Sequence, residues 1–229
     1  MPQPSRTTSL VERTPFFRAA GPSAMADLLR PSFTQILPRG AVLFEEGDEP
    51  DFLHIVLEGR VGLQATVPGG GRTMVELFGP GELCLVAAVV LRLPYLATAV
   101  ALTEIRVLMI PGEVYRETMQ RSRELCQATT ELLARHWRLM VDQVVDLKLR
   151  SAEARLARFI GRRLGDEADS GPVDLREPRT AIAARLGMTP ETLSRAFSEL
   201  ERKGLVRREA DGSTLVVDRG GLSDLTAGT

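Results

Sequence analysis

The sequence predicts an α+β protein in which an N-terminal β-roll precedes a long dimerisation helix and a C-terminal winged helix-turn-helix. Turn-forming residues interrupt residues 33–110 about every 8 to 12 positions. Neither proline nor glycine occurs between Glu113 and Ile160. Two amphipathic segments flank a tight turn near the C-terminus. The expected boundaries are 1–112 for the β-roll, 113–150 for the long helix and 151–229 for the winged helix-turn-helix.

The first segment has the pattern of a small jelly roll. Short runs rich in Val, Leu and Ile, such as residues 52–57, lie between turn formers such as Gly79-Pro80-Gly81. Residues 23–29 predict a short helix in front of the roll.

Composition narrows the class of protein. The 229 residues suffice for one large or two modest domains, and 44% hydrophobic with 26% charged residues excludes wholesale disorder. No apolar run approaches the roughly 18 residues of a membrane span. The start of the chain lacks a secretory signal, and two cysteines cannot build a disulfide framework. We expect a cytoplasmic protein without a membrane partner.

The long helix carries two apolar stripes. One follows alternating spacings of three and four, which is typical of the seam of a two-stranded coiled coil, and predicts a dimer interface of Thr130, Leu133, Trp137, Met140, Val144 and Leu147. The second stripe, Leu125, Leu132 and Leu139, would pack on the β-roll. Alternatively, both stripes bury against one domain.

The C-terminal segment predicts a helix-turn-helix. Residues 180–186 form the first helix and residues 190–203 the second, with Gly187 supplying a left-handed turn conformation. Thr189 is a good N-cap and Pro190 a good first helical residue. A hairpin with Asp211-Gly212 at its turn, between residues 205–208 and 215–217, makes the wing.

Positive charge is concentrated in this segment. The chain has a net charge of -1, yet residues 176–208 hold eight arginines and lysines against four glutamates. The outward residues at the start of the second helix are Thr189, Pro190, Glu191, Thr192, Ser194 and Arg195. Arginine can bind guanine O6 and N7, glutamate can accept from cytosine N4, and serine can bond a base or a phosphate. An ion pair between Glu191 and Arg195 is the alternative, and both can hold.

Two stretches resemble the CRP/FNR superfamily of bacterial transcription regulators. DFLHIVLEGRV at residues 51–61, with FGPGEL at 78–83, is similar to a cyclic-nucleotide-binding domain. TPETLSR at residues 189–195 resembles the recognition signature of the FNR branch. The resemblance implies a homodimeric DNA-binding regulator, not an enzyme, that reads palindromic TTGA-type half-sites of double-stranded DNA through Glu191, Ser194 and Arg195. RNA polymerase is a further expected partner.

Residues 85–96, which align with the ligand-binding segment of the cyclic-nucleotide-binding members, differ from those members at the contact positions. Their Gly-Glu pair for ribose aligns with Leu85 and Val86, and their Arg-Ser pair for phosphate aligns with Tyr95 and Leu96. Burying a phosphodiester without a cation costs several kcal/mol or more. We therefore expect allosteric control by an effector other than a cyclic nucleotide, with an effector pocket formed by Leu85, Val86, Tyr95, Leu96 and His136.

The few cysteines and histidines of the chain limit which cofactors it can bind. An iron-sulfur cluster usually needs four thiolates, and only Cys84 and Cys126 are present. The segment Tyr-x-Ala-Thr-Ala at residues 95–99 resembles the nitric-oxide-responsive regulators of the superfamily, for which haem is the proposed cofactor. His54 and His136 are the available imidazoles. We interpret His54 as a half-buried strand residue and His136 as a helix-flank residue that could reach the pocket.

Two other functions fit the same fold. One is a constitutive DNA-binding regulator whose β-roll is vestigial. The other is a jelly-roll metalloenzyme, which needs a cluster of His and carboxylate ligands on the roll. With His54 as the one histidine of the roll, we predict no metal site and no catalytic residue.

Overall fold

The computed structural model describes residues 11, 14–67, 69–164, 168–175, 177–208 and 214–227. They belong to two compact units, Met1–Arg138 and Leu139–Thr229. None of the described helices is long and apolar enough to cross a membrane.

The N-terminal unit is a β-roll flanked by helices. Two short helices, α1 (Pro15–Ala20) and α2 (Pro22–Leu29), precede it. Its strands are β1 (Phe33–Leu37), β2 (Val42–Phe44), β3 (Phe52–Glu58), β4 (Val61–Thr66), β5 (Arg72–Phe78), β6 (Leu83–Cys84), β7 (Thr98–Ala101) and β8 (Ile105–Pro111), with helix α3 (Val86–Leu91) after β6. The expected helix at 23–29 is confirmed as α2, whereas α1 was not predicted.

Two antiparallel sheets form the roll, with orders β1-β8-β3-β6 and β2-β7-β4-β5. Residues alternate across β3, so Leu53 and Ile55 pack with the helices while Val56 belongs to the cluster between the sheets. Both faces of β3 are therefore buried.

The long helix begins later than predicted. Helix α4 (Gly112–Arg121) ends at Ser122, and α5 runs over Arg123–Leu149. Ser122 has extended backbone, with φ −109° and ψ 115°, and its Oγ accepts a hydrogen bond from the Leu125 amide at 3.1 Å. A serine can cap a new helix in this way without proline or glycine, which is why their absence did not indicate the break.

The C-terminal unit contains the end of α5, then α6 (Ala152–Leu164), β9 (Ser170–Asp174), α7 (Arg179–Arg185), α8 (Pro190–Arg202), β10 (Val206–Arg208), β11 (Thr214–Asp218) and α9 (Arg219–Ala227). The predicted helix-turn-helix is α7 and α8. The predicted wing strands pair antiparallel as β10 and β11, in the order β10-β11-β9. The Asp211-Gly212 turn lies outside the described residues, and α9 was not predicted.

Candidate nucleic-acid interface

The turn between α7 and α8 is fixed by close packing. Gly187 has φ +62°, and a β-carbon there would collide with Leu147 Cδ2 and lie 3.2 Å from Arg155 Nη1. The same Arg155 nitrogen donates to the carbonyl oxygens of Leu186 and, at 3.1 Å, of Gly187. These bonds satisfy carbonyl groups at the C-terminal end of α7 and so hold the turn in one conformation.

Helix α8 starts as its sequence predicts. Thr189 is extended, its Oγ1 accepts from the Thr192 amide at 3.3 Å, and Pro190 follows in the first turn. The buried face is formed by Leu193, Ala196, Phe197 and Leu200. The Arg179 guanidinium lies 5.3 Å from the centre of the Phe197 ring. The opposite face is thereby left to solvent.

The predicted DNA-reading residues come together on this open face. Thr189, Pro190, Glu191, Ser194 and Arg195 are all exposed. Arg195 Nη2 donates to Thr192 Oγ1 at 3.2 Å. The pKa of Glu191 is lowered, first by a hydrogen bond from Thr189 and then by its own backbone amide, with the Arg195 charge contributing less. Glu191 is therefore a carboxylate acceptor and Arg195 a donor, one helical turn apart.

The open face continues further along α8 than predicted. A shallow recess of about 420 Å³ is lined by Ser194, Arg195, Ser198, Glu199 and Arg202. Arg202 Nε donates to Glu199 Oε2 at 3.0 Å. Ser198 was not predicted as a site residue, although it stands four positions after Ser194 and so lies on the same face of a helix. That spacing is the signal that could have identified it.

The predicted effector-pocket residues lie in different surroundings. Tyr95 is buried between the sheets, stacked on Phe44 with ring centroids 3.8 Å apart, and its hydroxyl donates to the Phe52 carbonyl at 2.9 Å. Leu85 packs against this same cluster, whereas Val86 belongs to the cluster beneath the helices.

The other two predicted pocket residues, Leu96 and His136, are more exposed to solvent. Leu96 is 88% exposed. His136 is half-buried on α5, where burial lowers its pKa against an opposing effect of Glu76. Only Tyr95 and Leu85 therefore share one cluster, and a common pocket stays a prediction.

The four residues aligned with the nucleotide contacts offer a phosphodiester no positive charge. Leu85, Val86, Tyr95 and Leu96 are uncharged, and the one hydroxyl among them is already bonded to Phe52. Leu85 also adopts φ +46° and ψ 45°, a left-handed conformation that costs a leucine about 1–2 kcal/mol. These residues do not fit the ribose and phosphate contacts of a cyclic nucleotide.

His54 is more deeply buried than predicted. It is 3% exposed rather than half-buried, because its strand is covered on both faces, and desolvation lowers its pKa to about 4. The Phe44 ring lies 5.3 Å from the imidazole and itself stacks on Tyr95. Packed aromatic rings occupy the space a porphyrin would need beside His54, so this residue does not fit haem ligation.

The predicted dimer seam is mostly exposed on α5. Trp137 is 71% exposed, Met140, Val144 and Leu147 are exposed to a lesser extent, and Thr130 is also at the surface. Leu133 differs, because it packs against the cluster beneath the helices. In the second stripe, Leu125 and Leu132 pack on that cluster as expected, whereas Leu139 is 42% exposed.

Comparison with known proteins matches both parts of the chain to known domain families. Residues 34–122 match the cyclic nucleotide-binding domain, and residues 154–225 match the Crp-like helix-turn-helix domain. The nitrogen fixation regulation protein FixK of Bradyrhizobium diazoefficiens is 30% identical over 73% of this chain and 71% of its own. A CRP-like cAMP-activated global transcriptional regulator of Mycobacterium tuberculosis is 25% identical over 91% of this chain and 95% of its own.

The fold is shared with a solved structure. FixK2 from Bradyrhizobium japonicum superposes with a TM-score of 0.76, covering 86% of this chain and 98% of that one at 21% identity. The predicted architecture of β-roll, long helix and helix-turn-helix is confirmed. With its two matched domains and its FixK relative, the chain belongs to the CRP/FNR family of DNA-binding transcription regulators.

Proposed function

We propose that the protein binds palindromic DNA as a homodimer and reads TTGA-type half-sites with Glu191, Ser194 and Arg195. The observation that carries the proposal is the exposed start of α8, where a carboxylate, a hydroxyl and a guanidinium share one face. The protein has no catalytic role in this proposal. It acts on chromosomal DNA in the cytoplasm, together with RNA polymerase.

The half-site chemistry matches these groups. Arg195 can place two hydrogen bonds on the O6 and N7 atoms of the guanine in TTGA, and Glu191 can accept from the N4 amino group of a cytosine. The Glu191 carboxyl is ionised at neutral pH and able to accept, and its lowered pKa is consistent with this. Ser194 stands beside them and can bond a base or a phosphate. Thr189 and Pro190 define the first turn, which brings the helix end close to the base edges.

A dimer is supported by the exposed apolar side chains on α5. Trp137, Met140, Val144 and Leu147 repeat at spacings of three, four and three, which follow one face of a helix. Exposing this much apolar surface to water is unfavourable, and a second copy of the helix would cover it. Pairing of two copies would set two α8 helices at half-sites about 34–36 Å apart on DNA.

Control by an effector other than a cyclic nucleotide is supported by the four uncharged residues at the aligned ribose and phosphate positions. The Mycobacterium tuberculosis relative is described as cAMP-activated, whereas Leu85, Val86, Tyr95 and Leu96 here provide no cation for a phosphate. A constitutive regulator is the second candidate, and the stacking of Tyr95 on Phe44 favours it because the tyrosine ring fills the roll interior. Haem binding through His136 would give a Soret band in the spectrum of the purified protein.

The test of DNA reading compares two arginines of α8. Arg195→Ala should lose about 1–3 kcal/mol of binding free energy on a TTGA palindrome and much less on a scrambled duplex. Arg202→Ala is the matched control, because its side chain lies seven positions further along the same face. Arg202→Ala should weaken binding to both duplexes equally. If Arg202 contacts a phosphate, the variant should also lower the slope of log affinity against log salt concentration by about 1.

Fluorescence anisotropy at several salt concentrations distinguishes a sequence-specific loss of binding from a loss that is the same on both duplexes. Equal losses on both duplexes for Arg195→Ala would assign Arg195 to the DNA backbone and overturn the proposed reading.

A further inference from the structure

We infer that Thr192 is a positioning residue for DNA reading, because its hydroxyl holds the Arg195 guanidinium on the open face of α8. This role rests on the proposed function, since it concerns how Arg195 is presented to a guanine. Thr192 stands three positions before Arg195, and its sequence position predicted no contact of its own. It acts on DNA through Arg195.

The Thr192 hydroxyl accepts a hydrogen bond from the arginine. Arg195 Nη2 donates to Thr192 Oγ1 at 3.2 Å, and side chains three positions apart are neighbours on a helix. A guanidinium has five N–H donors, so the others remain available, and two of them can bind guanine O6 and N7. The bond to Thr192 therefore orients Arg195 without consuming the donors that read a base.

Thr192 is itself held in place. Its amide donates to Thr189 Oγ1 at 3.3 Å, and its own Oγ1 lies 3.2 Å from the same Thr189 oxygen. Branching at the β-carbon also restricts a threonine side chain to few rotamers in a helix. Thr192 is half-buried, whereas Arg195 is exposed. An anchored hydroxyl thus fixes one end of a long and otherwise mobile side chain.

The ion pair between Glu191 and Arg195, which their spacing allows, is not the contact that orients the arginine. A hydrogen bond from Thr189 is the first cause of the lowered pKa of Glu191, and the Arg195 charge contributes least. The carboxylate is therefore engaged at the helix N-cap, and the guanidinium is engaged by Thr192. The two groups proposed to read bases are oriented by different partners.

Preorganisation gives this contact its importance for binding. An arginine side chain loses conformational freedom when it is fixed against a base. A partner that already restrains it in the free protein reduces this loss. One net hydrogen bond corresponds to a factor of about 2 to 12 in an equilibrium constant. We expect Thr192 to contribute a factor of this size, and only on DNA that Arg195 reads.

The experiment is a double-mutant cycle, with affinities measured by fluorescence anisotropy on the TTGA palindrome and on a scrambled duplex. Thr192→Val removes the hydroxyl and keeps the shape of the side chain. It should weaken binding to the palindrome about 2- to 12-fold and leave the scrambled duplex unchanged. In an Arg195→Ala background, the same substitution should have no further effect, because the group that Thr192 orients is absent.

Two further variants serve as controls. Thr192→Ser keeps the hydroxyl and should retain most of the wild-type affinity for the palindrome. Ser198→Ala removes another hydroxyl from the open face of α8, and its effect should be the same with and without Arg195→Ala, because independent sites are additive. Thermal unfolding checks that each variant is folded.

The possible failures have different signatures. If Thr192→Val weakens both duplexes equally, or still weakens binding in the Arg195→Ala background, then Thr192 contacts DNA directly and its positioning role is wrong. If Arg195→Ala loses affinity selectively while Thr192→Val binds the palindrome like the wild type, the positioning role alone is overturned. Equal losses on both duplexes for Arg195→Ala would contradict the proposed function, and the positioning role with it.

Discussion

The Nε atom of Arg158 lies 3.1 Å from Asp146 Oδ1, and this ion pair links α6 to the last turns of α5. Asp146 is 5% exposed. Its carboxylate also forms ion pairs with Arg150 at 2.9 Å and with Arg162 at 3.7 Å. One buried carboxylate therefore holds three guanidinium groups at the junction between the long helix and the first helix after it.

Replacing that carboxylate should be costly. Asp146→Asn leaves three arginines beside a neutral amide, and breaking a buried ion pair from one side typically costs about 3–5 kcal/mol. We expect a loss of about 3 kcal/mol in the free energy of unfolding, because the arginines are partly solvated. The control is Asp142→Asn, whose carboxyl is 52% exposed and contacts Arg158 at 3.3 Å. Urea unfolding should show less than about 1 kcal/mol for that variant, and equal losses would show that burial of Asp146 is unimportant.

The dimer proposal is tested on the exposed seam rather than on Leu133, which packs within its own unit. Trp137→Asp combined with Met140→Asp places two carboxylates where apolar side chains would pair. We expect light scattering to report the monomer mass. Arg135→Asp, on the opposite face of α5, should leave the dimer intact. A double variant that keeps twice the monomer mass would place the interface elsewhere.

Cyclic nucleotides should bind weakly. Without a cation for the phosphate, we expect calorimetry to give dissociation constants for cyclic AMP and cyclic GMP no tighter than about millimolar. Saturating either nucleotide should leave the affinity for DNA unchanged. A micromolar constant for either would contradict the interpretation of Leu85, Val86, Tyr95 and Leu96.

Helix α3 ends in a strained residue. Arg92 is exposed and has φ +55°, a left-handed conformation that costs an L-residue about 1–2 kcal/mol. Arg92→Gly removes that cost, although glycine gains entropy in the unfolded chain, so we expect a net gain of about 0.5 kcal/mol. Arg92→Ala is the control and should give no gain, since alanine also has a β-carbon. Thermal unfolding that ranks alanine above glycine would exclude the conformational explanation.

Sequence patterns predicted most of the architecture because turn formers and helix caps act locally. Thr189, Pro190 and Gly187 define the start of α8 through their own backbone preferences, and the structure has them as predicted. The break at Ser122 was missed because a serine cap has the same appearance as an ordinary polar residue within a helix.

Burial and strand register depend on tertiary packing, so the sequence pattern could not predict them. Leu133 and Met140 occupy equivalent seam positions, yet only Leu133 packs on the cluster beneath the helices. His54 could be placed on a strand, but its full burial depends on a second sheet that covers it. His54 stands opposite Cys84 and Met109 on strands that are distant in sequence, and this register is not visible in any local pattern.

The contact between Gly187 and Leu147 has an evolutionary consequence. A β-carbon at Gly187 would collide with Leu147 Cδ2, so a larger residue can enter this turn only if the Leu147 side chain moves away or position 147 becomes smaller. Leu147 is also a member of the seam proposed for pairing, so shrinking it would weaken that proposed pairing. The two positions are therefore epistatic, and the order in which mutations arise would decide which variants of the turn a lineage can reach.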